Sequence, residues 1–143
     1  MTLHKLILSK SIGCLNTCDN NCNPSGATVF YTTHHDKLYI LTHEDSLKVK
    51  HIKSNPNVCM VIVDDTYYKQ MQLYATAKIS KDPGKYLPLI KNVMTSHAET
   101  SDSPIPYTEI KTEGLAPVVI ELTPKHGKYF ESGRGIVEEA YTN

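Results

Sequence analysis

The chain has no tryptophan, a single arginine and no net formal charge. Each shortage closes a class of function. Lys and Arg together match Asp and Glu at fifteen each, so no overall cationic field draws the protein onto nucleic acid or an anionic membrane. Lysine outnumbers arginine fourteen to one, which leaves Arg134 as the only guanidinium for forked recognition of a phosphate or carboxylate. Long apolar runs are scarce as well. Near the start only Leu6, Ile7 and Leu8 stand together, too few for a signal-peptide core or a spanning helix, and the sequence reads as that of a cytoplasmic protein. Second pairs of closely spaced cysteines are also missing. Cys14, Cys18 and Cys22 recur every fourth residue, but structural zinc sites pair cysteines closely and add a separated ligand pair, whereas only Cys59 follows here. No metal site is expected, and in a reducing compartment no structural disulfide. Neither a repeat nor a low-complexity tract divides the 143 residues, which read as one domain, 1–143, able to bury roughly two thirds of its unfolded surface.

What is present centres on residues 38–56, LYILTHEDSLKVKHIKSNP. Leu38 to Leu41 is strand-like, while Val49 and Ile52, three apart, give one apolar face to a short helix that Asn55 and Pro56 end. Ser46 is placed to be its N-cap. First-turn amides beyond a cap have no partner inside the helix, and with Lys48 beside them they suit an anion. Taken alone, the same residues read more readily as a plain cap and a solvated lysine. Lys50, His51 and Lys53 read as surface residues of this helix.

Around this stretch the chain alternates turns with short strands. A first helix is expected within 2–11, its Leu3, Leu6 and Ile7 on one face, followed by strands at 13–18, 27–33 and 38–41, with His34 and His35 in a solvated turn. The apolar run VCMVIV at 58–63 predicts a central strand covered on both faces. Asp64 and Asp65 after it are paired carboxylates on paper, but at a strand end they read as turn residues. Along 67–80, Met71, Leu73, Ala75 and Ala77 alternate with Gln70, Gln72, Tyr74, Thr76 and Lys78, one face core and the other polar. A helix is expected from about Pro88, since proline breaks a helix that includes it, with Leu89, Ile90, Val93, Met94 and His97 on one face. A polar loop at 98–114, strands at 118–122 and 128–130 and an unassigned tail complete the reading. About six strands with two inserted helices make a mostly β fold, an antiparallel barrel with peripheral helices.

The order of these motifs resembles the FMN-binding split-barrel family, which includes pyridoxamine 5'-phosphate oxidase. IGCLNTCDNNCNP resembles its opening hairpin, ATVFYTTHHDKLYILT its second, SLKVKHIKSNP its serine-x-lysine segment closing on Asn-Pro, and QMQLYATAKI its strand beginning with a flavin-contacting glutamine. The resemblance implies a Greek-key split β-barrel, an FMN cofactor, and a homodimer with the flavin at the subunit interface. It implies that Thr42, Ser46 and Lys48 hold the FMN phosphate, that Gln70 reaches the flavin ring, and that Thr28 is a further contact. Ala27 and Thr28 stand where an arginine is common in the family, and Leu47 replaces another, so Lys48 would carry more of the phosphate. The vitamin oxidase itself resembles this chain only in the barrel. Its C-terminal arginine-rich and tryptophan-containing motifs are missing here, so the implied activity is an FMN oxidoreductase acting on another small molecule. The loop 98–114, the segment GKYFESGRG and Arg134, as an anion contact or a turn cap, are candidates for the substrate cleft. A flavin or haem carrier or sensor on the same fold, with His97 or His126 as haem ligand, is the alternative.

Overall fold

The computed structural model describes residues 3–66, 68–100, 116–133 and 136–141. Its elements run α1 (Lys5–Ser9), β1 (Ile12–Cys18), β2 (Pro24–Phe30), β3 (Thr32–His34), β4 (Lys37–His43), α2 (Leu47–Ser54), β5 (Asn57–Val63), β6 (Lys69–Ile79), α3 (Pro83–Thr100), β7 (Pro117–Glu131) and β8 (Ile136–Tyr141). All strand pairs are antiparallel, in the order β2-β1-β5-β6-β7-β4-β3, with β8 on β7. Strands β5, β6 and β7 are neighbours in sequence and β4 returns beside β7, a Greek-key arrangement. The two ends of that order, β2 and β3, follow one another in the chain, separated by Tyr31 alone. The sheet therefore curls into a split barrel.

Alternation along the strands fills the barrel. Leu15, Val29, Leu38, Ile40, Met60, Ile62, Met71, Leu73, Ala75, Ala77, Ile120 and Leu122 form one buried cluster, onto which Leu3, Leu6 and Ile7 of the N-terminal segment fold. A smaller cluster of Tyr39, Ile90, Met94 and Val119 fastens α3 to the opposite face of β4 and β7. Helix α2 closes the barrel at another point, with Val49, His51 and Ile52 buried.

Several boundaries differ from the sequence reading. The strand expected at 27–33 is two strands, because Tyr31 leaves the ladder: its N–H donates to Ser11 O at 2.8 Å and its buried hydroxyl to Ile7 O at 2.6 Å. Residues His35 and Asp36, at φ 48° and 60°, form the two-residue turn to β4. The strands expected at 118–122 and 128–130 are one, β7, which passes its internal Pro124 at a bulge: Ala75 pairs with Pro124 and Tyr74 with His126, leaving Lys125 as the extra residue. With β8 in the unassigned tail, eight strands stand among the described residues, against about six expected. Helix α3 starts at Pro83 and runs through Pro88 to Thr100, so 98–100 are helical rather than loop. Its first turns hold because Tyr86 stacks on Tyr39, ring centroids 3.9 Å apart. The rest of the expected 98–114 loop, and Arg134, lie outside the described residues.

Strand β5 also departs from expectation. Val58, Met60 and Ile62 are buried, but Cys59 and Val61 are only half covered and Val63 is 36% exposed. Within one chain this apolar strand has one covered face, because α3 covers β4 and β7 instead.

Candidate functional site

Strand β4 ends at His43, and the chain turns through Glu44 and Asp45 into α2. Ser46 is the N-cap, with extended φ −68° and ψ 147°; its N–H donates to His43 O at 3.1 Å and its hydroxyl accepts from Val49 N at 3.3 Å. Accepting from Val49 leaves the Ser46 O–H proton free to be donated, so capping and anion binding are not rival roles for one hydroxyl. Thr42 lies on the inner face of β4 in line with Leu38 and Ile40 and is buried, as is Ser46. Lys48 sits half-buried in the first turn of α2.

Two further residues shape this corner and were not singled out for it. His43, between Thr42 and Ser46, has a buried Nδ1 with no hydrogen-bond partner among the described residues. No sequence pattern marks it, since it is one more polar residue at a strand end. His51, expected on the surface, is buried and shares a 2.9 Å hydrogen bond with buried Thr17 of β1. The expectation fails because α2 packs between β1 and β6 and is covered on more than the stripe that Val49 and Ile52 define. This bond fixes the helix that Ser46 caps.

The remaining candidates stand elsewhere. Thr28 is exposed on the outer face of β2, opposite Cys14. Gln70 lies on the outer face of β6, between Val63 and Phe130, with Met71 and Leu73 marking the inner face. The register carries Thr28 through Cys14 and Val61 to Gln72, about 14 Å across three strand spacings, and Gln70 lies two residues further along β6 on the same outer surface. Thr42 pairs with Val118 and Gln70 with Phe130, twelve positions apart on β7 and on opposite faces of the sheet. That is about 40 Å of strand contour. The structure thus gathers Thr42, Ser46 and Lys48 and separates them from Thr28 and Gln70 of the same chain.

Other candidates resolve into structural roles. Asp64 accepts from Thr66 Oγ1 at 2.9 Å and Lys69 N at 3.1 Å, and Asp65 pairs with Lys10 at 2.9 Å, both closing the turn into β6. His126, a candidate haem ligand, stacks on Tyr74 with ring centroids 4.6 Å apart. The side chain of His97 lies outside the described residues. Among the described residues no three His, Cys, Asp or Glu side chains gather as a metal site, and no helix is long and apolar enough to cross a membrane.

Around the Ser46 corner stand two hydroxyls, the amino end of a helix, an ammonium side chain and a histidine nitrogen without a hydrogen-bond partner among the described residues, a set of groups that could hold an anion. The same architecture occurs in other proteins. A Clostridium acetobutylicum protein related to general stress protein 26, of the pyridoxinephosphate oxidase family, superposes with TM-score 0.65 at 21% identity, over 94% of this chain and 89% of that one. An F420 reductase does so with TM-score 0.67 at 19% identity, over 88% and 98%, and a FAD-binding protein from Mesorhizobium loti with TM-score 0.67 at 13% identity, over 90% and 91%. Comparison with curated proteins gives no match. The family model for pyridoxamine 5'-phosphate oxidase matches residues 2–130, nearly the whole chain, so the split barrel, its register and its sequence place this protein in that family.

Proposed function

We propose that the protein is an FMN-dependent oxidoreductase of small molecules, built as a homodimer with a flavin at the subunit interface. The observation that carries this reading is the buried Ser46 cap of α2, with Thr42 and Lys48 beside it. Thr42, Ser46 and Lys48 would hold the FMN phosphate, and Thr28 and Gln70 would meet the rest of the cofactor. FMN, when bound, supplies hydride or electron transfer at its isoalloxazine ring. The chain's own part is to bind and orient: Ser46 donates its hydroxyl proton to the phosphate, Lys48 supplies the compensating charge, and the Thr17–His51 bond keeps α2 in place.

The dimer reading draws support from two features. A ligand held at Ser46 would have to run the length of β7, and change sheet face, to reach Gln70 of its own chain, whereas a second chain could present its outer face there. That outer face is also the half-covered side of β5, where Cys59, Val61 and Val63 lack the cover an apolar strand usually has. With one arginine and no tryptophan in the chain, the substrate is read as something other than a phosphorylated pyridoxamine.

The test is a fluorescence titration with FMN. One charge-assisted hydrogen bond contributes roughly 1.5 to 3 kcal/mol, and about 1.4 kcal/mol is a factor of ten, so Lys48→Ala is expected to weaken binding at least about tenfold. Unchanged affinity would refute the assignment. Anaerobic bleaching of the bound flavin by a reduced nicotinamide nucleotide would distinguish turnover from carriage, and peroxide release above background with pyridoxamine phosphate would overturn the substrate reading.

A further inference from the structure

The β1–β2 hairpin brings two thiols together in a place the flavin reading does not use. Cys18 ends β1, opposite Pro24, and Cys22 closes the turn: its N–H donates to Asp19 O at 3.2 Å, and Asp19 N donates to Asn23 O at 3.2 Å. The Asp19 carboxylate locks the loop further, accepting from Asn21 N at 2.8 Å and from Asn23 N and Nδ2 at 2.9 Å each. Cys22 takes a left-handed φ of 62°, which a residue with a Cβ adopts at a cost; Cys18, one residue before the turn, donates its Sγ–H to Asp19 O at 3.2 Å, and the Cys22 thiol is close enough to raise that of Cys18. One member is open to solvent and the other half-buried. A second pair, Cys14 and Cys59, sits diagonally across β1 and β5, where Cys14 faces Val61 and Asn16 faces Cys59. The pairs do not merge with other ligating groups into a cluster among the described residues.

We propose that Cys18 and Cys22 form a redox-active dithiol, a site that closes to a disulfide within the hairpin by exchange with a low-molecular-weight disulfide. The exposed Cys22 thiolate attacks one sulfur of the small disulfide, forming a mixed disulfide and releasing one small thiolate. Cys18 then gives up its proton and attacks the Cys22 sulfur, expelling the second small thiolate. The balance is two protein thiols oxidised, one small disulfide reduced, and two small thiols formed. Partial burial, then the Cys22 thiol and the Asp19 carboxylate, push the Cys18 thiol above its ordinary value, which suits it to the second step rather than the first.

The experiment equilibrates the full chain with reduced and oxidised glutathione, quenches by acid and alkylation, and maps peptides without reduction. Wild type is expected to lose two hydrogen atoms through a Cys18–Cys22 bond, with no lasting adduct. Cys18→Ser is expected to accumulate one glutathione on Cys22, with an adduct lifetime at least about tenfold longer than in wild type. Cys22→Ser, at an exposed position that leaves the fold intact, is expected to show none on Cys18. A persistent adduct on wild-type Cys22, or oxidation that goes first to Cys14 and Cys59, would overturn the proposal.

Discussion

Glu121 sits 7% exposed on the face of β7 that meets α3, where an unpaired carboxylate would be costly. It accepts from Lys78 Nζ at 2.9 Å, Lys37 Nζ at 3.1 Å and the Tyr39 hydroxyl at 3.1 Å. Burial alone would raise its carboxyl, but Lys78, Lys37 and Tyr39 outweigh burial and hold it below the usual carboxylate range. A depressed folded value stabilises the fold above the unfolded carboxyl value, about 4.3, and that contribution disappears as pH falls through the folded value. Glu121→Gln is therefore expected to cost about 2 kcal/mol at neutral pH, the order of one buried charge-assisted interaction lost, with the gap closing below about pH 4. Urea melts at both pH values check this, and an equal gap at both would contradict it. Little of this was legible, because a glutamate inside VVIELT shows no partner: Lys37 and Lys78 arrive from β4 and β6 through pairing across long stretches of chain. Ser46 was legible because capping is local, acting within three residues. His51 was hidden for the reason Glu121 was, its partner Thr17 being thirty-four residues away.

Elements whose signal is periodic were read correctly from the sequence. The alternation of β6 is reproduced residue by residue, with Met71, Leu73, Ala75 and Ala77 inward. Two prolines stand inside elements, Pro88 against the expectation from the sequence, and in both cases tertiary structure overrides a local preference. Pro124 is accommodated by the bulge in β7, and Pro88 by the stacking of Tyr86 on Tyr39, which anchors the turn before it. Pro88 still leaves the carbonyl of Gly84 without its helical donor, and its own ring is exposed. An internal proline costs a helix about 3 kcal/mol, offset by roughly 0.4 to 1 kcal/mol because proline also restricts the unfolded chain. Pro88→Ala is thus expected to raise stability by about 2 kcal/mol, read from the urea midpoint at unchanged slope. A lower midpoint would mean that the proline ring makes a contact the helix needs.

At the scale of the whole molecule, the curl of the sheet was legible from closely spaced strands, but the division of the candidate site was not. Motifs in order along a chain do not say which face or which end each one reaches. Register does: Ser46 and Lys48 follow the end of β4 that meets Val118, while Gln70 meets Phe130 at the other end of β7 and on the other face. If both belong to one flavin site, as proposed, they must come from different chains, and a closed two-fold dimer then holds two such sites. Coexpressing Lys48→Ala and Gln70→Ala chains under different tags and purifying the mixed dimer tests this directly. One site would then combine Lys48 of one chain with Gln70 of the other, both intact, and its mate would carry both lesions. The mixed dimer is expected to bind FMN with wild-type affinity at about half the wild-type stoichiometry, while each variant alone binds weakly at every site. Should the two residues act within one chain, every site of the mixed dimer keeps one lesion, and no wild-type-affinity fraction is recovered. Failure of the two tagged chains to copurify at all would remove the dimer itself, and with it the reason for assigning Gln70 to the cofactor.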